Sequence, residues 1–298
     1  MAYPGGMIPH MTSGDEGLRL YFYGAWPHSY DWSEWKRSKI ARIDYLRDGV
    51  SINDEGEHAT PAATVHGSGS ITDTFDGSTA TDPTYQFTDD LEERYFESIF
   101  PSGGYPDKIE IYQADAPAEQ SLPPSAMELR YNGNVISRFM SDQLSQPAAS
   151  QKYIDHTFDL SAKTTTDYRL TITGRQGGML TGDHGGSGFY ISDSVGSIFD
   201  LSKMAAVTHD DGERLDFNPH HLVTQNAWYA NGQNTAIYLY MVGEHSEVSY
   251  SWRNVNATNR APTSFALEKR VNSGAWTLLH EISGVDNWTA NELKTFTL

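Results

Sequence analysis

The feature that most constrains this chain is that it repeats itself. The stretch PPSAMELRYNGN, beginning at Pro123, aligns with APTSFALEKRVNSG, beginning at Ala261, at an offset of 138 residues that pairs Pro124 with Pro262, Met127 with Phe265 and Leu129 with Leu267. At the same offset HTFDL (His156 to Leu160) falls on KTFTL (Lys294 to Leu298), and KIEIY (Lys108 to Tyr112) falls on SEVSY (Ser246 to Tyr250). A register kept over about 50 residues, with apolar positions matched and polar ones free to vary, is the signature of one fold used twice.

The repeated unit reads as β. Period-2 alternation rich in Val, Ile, Thr and aromatics recurs in KIEIYQA, SAMELRY, YRLTITG, TAIYLYMV, EVSYSW and TSFALEKR, separated by Gly, Pro, Asn, Asp and Ser. Helical patterns are short, the best being TDDLEERYF and SYDWSEWKR. A chain of 298 residues can bury one large core or two of ordinary size, two being the expectation for β-rich units, and without cysteine it has no disulfide or thiolate-metal staple, so core packing, an oxygen-ligated ion or association must stabilise it. The expectation is an all-β protein of two tandem antiparallel β-sandwiches of jelly-roll type.

The two copies differ in what flanks them. HTFDL continues into about 35 residues holding two further strands, up to ISDSV, whereas KTFTL has no such continuation. GLRLYFYG (Gly17 to Gly24) resembles DYRLTITG (Asp167 to Gly174), and SKIARIDYL (Ser38 to Leu46) resembles SGFYISDSV in spacing. This predicts an N-terminal segment at 1–57, a complete first jelly roll at 58–195, and a second at 196–298. The second would be completed by strands 17–24 and 38–46, or by a neighbouring chain, because open sheet edges are avoided.

The series TDTFDGSTATD, PSAMELRYNG, FDLSAKTTTDYRLTITG and FALEKRVNSGAWTLLHEISGVDNWTANELKTFTL resembles the discoidin-like, coagulation-factor type C domains with a galactose-binding-like jelly roll. Asp76-Gly77 stands at that family's early loop, with Asp211-Gly212 as a second; Gly274-Ala275-Trp276 stands at its hairpin, and Tyr168-Arg169-Leu170 at its closing strand. The first copy lacks the hairpin Trp and the second its Tyr-Arg strand. The resemblance implies a binding role rather than catalysis, and a structural calcium held by Asp76 with Ser78 or Thr79; an Asp-Gly turn alone explains the same residues.

Composition narrows the ligands. A net charge of −18 opposes phosphate-backbone binding. One basic strip, Lys36, Arg37, Lys39, Arg42 and Arg47, suits contact with the acidic body of another copy, although a charged strand edge is the commoner use. No apolar stretch of roughly 18 residues and no export signal is present, which excludes helical membrane insertion. No HExxH, GxSxG or P-loop occurs, so no cofactor is expected beyond the candidate calcium. Trp228, Tyr229, Trp252, Trp276 and Trp288 are candidate glycan-stacking rings, with Trp26, Trp32 and Trp35 nearer the N-terminus, although large rings serve first as core.

Two functions fit. The first is a non-enzymatic virion component (phage tail, baseplate or fibre) that contacts copies of itself, other virion proteins and a host-surface glycan. The second is an extracellular carbohydrate-binding module or adhesin.

Overall fold

A computed structural model describes residues 17–25, 39–59, 71–77, 85–86, 95–101, 104–113, 124–141, 147–175, 183–209, 228–231, 235–255 and 260–298. The protein is all-β, with antiparallel pairing throughout the described strands. One four-residue helical turn, α1 (Ile71–Thr74), interrupts the first half. TDDLEERYF becomes strand where it is described, and SYDWSEWKR lies outside the described residues.

The first half contributes β1 (Leu18–Ala25), β2 (Lys39–Ile40), β3 (Arg42–Arg47), β4 (Val50–Ser51), β5 (Glu57–Ala59), β6 (Tyr85–Gln86), β7 (Tyr95–Ile99), β8 (Lys108–Tyr112), β9 (Pro124–Tyr131), β10 (Asn134–Met140) and β11 (Lys152–Thr157). The second contributes β12 (Thr165–Arg175), β13 (Asp183–Gly186), β14 (Gly188–Ser192), β15 (Met204–His209), β16 (Trp228–Asn231), β17 (Thr235–Val242), β18 (Ser249–Arg253), β19 (Pro262–Val271), β20 (Thr277–Ile282) and β21 (Leu293–Thr297).

Strand order repeats between the halves. A five-stranded sheet β10-β9-β1-β7-β5 and a four-stranded sheet β11-β8-β3-β4 enclose one core; a five-stranded sheet β20-β19-β12-β17-β15 and a three-stranded sheet β21-β18-β14 enclose the other. Inward positions alternate as the pleat requires. Leu18, Leu20 and Phe22 of β1 and Met127 and Leu129 of β9 fill the first core, and Tyr168, Leu170 and Ile172 of β12 and Phe265 and Leu267 of β19 fill the second.

The repeat is therefore present with a different phase from the one expected. Strand β1 lies between β7 and β9, with Leu20 opposite Phe96 and Leu129, and β3 pairs with β8. Strands β1 and β3 thus belong to the first unit and do not complete the sheets of the second. Their counterparts β12 and β14, expected to close the first jelly roll, pair with β17, β19 and β18 of the second. The units change over between Leu160, packed on the first core, and Thr165, not near residue 195. Register also shifts locally: Ile109 and Ile111 face β3 as Tyr250 and Trp252 face β14, so KIEIY corresponds to SYSWR rather than SEVSY.

Local chemistry explains the matching hairpins. Asn132 and Gly133, at φ 48° and 78°, turn β9 into β10, and Asn272 and Ser273, at φ 47° and 58°, turn β19 towards β20. Asn and Gly tolerate the left-handed conformation that a tight antiparallel turn requires. In the second unit the Asn272 side chain also accepts the Thr165 N–H, fixing the start of β12.

Candidate functional site

Two places carry charged or aromatic side chains in an arrangement that packing alone does not require: the junction of the units and the outer face of the second five-stranded sheet. At the junction, Ala126 of β9 and Met140 of β10 leave their own sandwich and pack into the second core beside Met204 and Ala205. Met140 N–H donates to Leu201 O at 2.7 Å. Between them lies a chain of ions. Arg138 donates to Glu128 at 2.7 Å, to Asp167 at 2.7 Å and to Met241 O at 2.9 Å; Arg130 meets the other Glu128 oxygen at 2.6 Å, and Arg270 meets the other Asp167 oxygen at 2.8 Å.

Arg138, Glu128 and Asp167 are 3%, 1% and 1% exposed, so each charge relies on its neighbours for what water would supply. Burial alone would push the Glu128 carboxyl up, but Arg138 and Arg130 together hold it below the usual carboxylate range. The Arg138 guanidinium also lies 5.3 Å from the centre of the Tyr240 ring. Sequence reasoning missed this network. Its signal was an Arg inside the apolar run VISRFM, which a buried strand tolerates only with an acidic partner.

Beyond Tyr240 the outer sheet face is partly open. Arg169 is bidentate to Glu268 at 2.6 and 2.8 Å, and its guanidinium lies 4.7 Å from the Trp276 ring centre; that of Arg270 lies 4.6 Å away. Tyr238 meets Trp276 edge-to-face at 6.0 Å and lies nearly parallel to Tyr240 at 6.1 Å. Trp276 and Tyr238 are half-buried, and Leu278, opposite Glu268 on β20, is exposed. The result is an aromatic plateau in a frame of paired ions, able to offer ring faces and planar hydrogen-bonding groups together.

The other candidate rings fall elsewhere. Trp252 is a core residue, so close to Gly186 that a β-carbon there would sit 2.3 Å from its ring. Trp288 is also buried, donating to Pro262 O at 2.8 Å under the Lys294 ammonium. Neither can stack on a ligand from solution. Strand β16 places the backbones of Trp228 and Tyr229 opposite Gly186 and Gly185, but their side chains lie outside the described residues, as do Trp26, Trp32 and Trp35.

The basic strip is not an open cationic surface where it is described. Arg42 pairs with Asp44 and lies over Tyr112, and Arg47 is held by Glu55 and Gly104 O. The Lys36, Arg37 and Lys39 side chains lie outside the described residues. Asp76 is exposed, followed by Gly77 at φ +81° as in an ordinary turn, while Ser78 and Thr79 are outside the description. Among the described residues no three His, Asp or Glu side chains are grouped to hold a metal ion, and no helix is long and apolar enough to cross a membrane.

No protein-family model, no curated protein and no solved structure matches the chain.

Proposed function

We propose that the chain is a non-enzymatic structural and attachment protein, built of two discoidin-like, galactose-binding-like jelly rolls, that presents a sheet face around Trp276 to a glycan-bearing surface. The observation that carries this reading is the buried, ion-paired junction. Two units of the same strand order are locked through Arg138, Glu128 and Asp167, a design suited to holding contact surfaces at a fixed spacing. Buried ion networks of this kind fix geometry more than they add stability.

The setting proposed is a virion tail, baseplate or fibre, which fits the acidic, cysteine-free composition and the close-set tandem β-units. A second reading, a carbohydrate-binding module or adhesin outside the cell, is favoured by the Trp276 plateau itself. The test is incubation of the intact protein with a polysaccharide panel, following both retention and reducing-end release. Retention without release supports a contact protein, and release of product from any of them rejects it.

A further inference from the structure

The two arginines that flank Trp276 are not equivalent. Arg169 uses Nε and one terminal nitrogen on the two oxygens of Glu268, at 2.6 and 2.8 Å, which makes a closed bidentate pair. Arg270 meets Asp167 through Nε alone, at 2.8 Å, and that carboxylate also accepts from Arg138 at 2.7 Å. The two terminal nitrogens of Arg270 have no hydrogen bond among the described residues. The side chain is 26% exposed, so these donors face solvent rather than a sealed core.

Strand register explains the difference. Glu268 and Arg270 stand two residues apart on β19 and so share a face, opposite Arg169 and Asp167 of β12. Each acid faces a base across the strands, but Asp167 lies at the junction and serves Arg138 of the first unit as well. The Nε bond and the Trp276 indole, 4.6 Å from the Arg270 guanidinium, together fix the plane of that group. What is left is an oriented pair of positively charged N–H donors, the geometry that a carboxylate accepts bidentately. The outward residues flanking these two rungs are Tyr240, Tyr238 and Leu278, all uncharged; the acid Glu281 stands opposite Ala266, four residues along β19 from Arg270.

From this arrangement we infer that the sheet face recognises its glycan by an isolated carboxylate, that of an acidic sugar at a chain end, held by the terminal nitrogens of Arg270 with the sugar ring against Trp276 and the exposed Leu278. The inference rests on the sheet-face reading above and adds to it the ligand's charge and the residue that anchors it. Net charge separates a single acidic sugar from a polyacid. A body at −18 repels a chain of many carboxylates, whereas one carboxylate needs only Arg270, and at physiological ionic strength charges more than about 8 Å away are largely screened.

The test is saturation-transfer NMR on the full chain with the methyl glycosides of glucuronic, galacturonic and N-acetylneuraminic acid, each beside its primary amide, which keeps the shape and removes the charge. Wild type is compared with Arg270→Lys and Trp276→Ala; the Lys variant keeps a cation for Asp167 but loses the planar pair of donors. At least one acid is expected to give transfer with wild type at least fivefold above its amide, and to fall at least fivefold with Arg270→Lys and with Trp276→Ala. The comparison of acid with amide needs no variant, so it stands even if a substitution disturbs the fold. An amide that binds as well as its acid, both being lost with Trp276→Ala, overturns the inference and leaves the sheet-face reading standing. Transfer from an acid that survives Arg270→Lys, or silence from all three acids, also overturns it. The sheet-face reading itself fails only if no polysaccharide is retained or if retention ignores Trp276→Ala.

Discussion

The Arg138 guanidinium of β10 donates to the Asp167 carboxylate of β12 at 2.7 Å, and this one contact joins the two sandwiches through charges that are almost wholly removed from water. Because Glu128 holds the same guanidinium from within the first unit, each carboxylate depends on an Arg whose loss would leave both acids short of a partner.

Replacing Arg138 by Ala is accordingly expected to cost roughly 3–5 kcal/mol, since breaking a buried pair strands its partners. The triple change Glu128→Gln, Arg138→Met, Asp167→Asn is expected to regain only part of that loss, because it leaves no buried charge at the centre of the network but takes the acidic partners from the partly exposed Arg130 and Arg270. Urea denaturation of the three proteins measures both. A loss below about 1 kcal/mol for the single variant would show that water reaches the junction.

Acid should weaken the fold before its carboxylates titrate. Burial lowers the His156 pKa to about 4, against the opposing pull of Asp155 and Asp200, while Ser137 and Phe139 face the ring. The unfolded chain takes up that proton near pH 6.5, so it binds more protons than the folded chain as pH falls from about 6.5 towards 4, and stability falls with it. His58, stacked on Phe75 and also lowered by burial, adds in the same direction. Between pH 6.5 and 5 His156 is expected to account for about 1.5 kcal/mol. His156→Gln should flatten the pH slope of the urea midpoint in this window; an unchanged slope would mean that the ring is solvated.

The domain boundary can be checked with two fragments. Residues 58–195 lack β1 and β3, which supply Leu18, Leu20, Ile43 and Tyr45 to the first core, and should remain unfolded by circular dichroism. Residues 17–160 contain every described strand of both sheets of that unit and should melt cooperatively. Cooperative melting of 58–195 would restore the boundary expected from sequence.

That boundary shows where the sequence stops being informative. Pro124 against Pro262 and Leu129 against Leu267 revealed the repeat because inward positions of equivalent strands carry the same burial demand. Phase was not legible, since β1 pairs with strands some 80 and 110 residues away and the short turn from β11 to β12 looks like any other. The rings of Trp252 and Trp288 could not be placed from their identity alone, although Tyr250 two residues before Trp252 on one strand marks a shared inward face. Arg138 was unreadable as a junction residue because Asp167, its partner, lies on another unit.

The burial contrast between tryptophans separates core from contact face. Trp252→Ala should cost about 3–5 kcal/mol through the cavity left beside Phe189, whereas Trp276→Ala should cost no more than about 1.5 kcal/mol. Thermal melting of the two variants measures the difference. Equal losses would mean that Trp276 is a packing residue and the face around it is not available to a ligand.

The most direct measurement is affinity electrophoresis of wild type and Trp276→Ala through gels containing each polysaccharide of a panel, with the same samples assayed for released sugar. At least one polysaccharide is expected to retard the wild type, Trp276→Ala to weaken this retardation at least tenfold, and no sugar to be released. Retardation unaffected by Trp276→Ala, or cleavage of the polysaccharide, would contradict the proposed function.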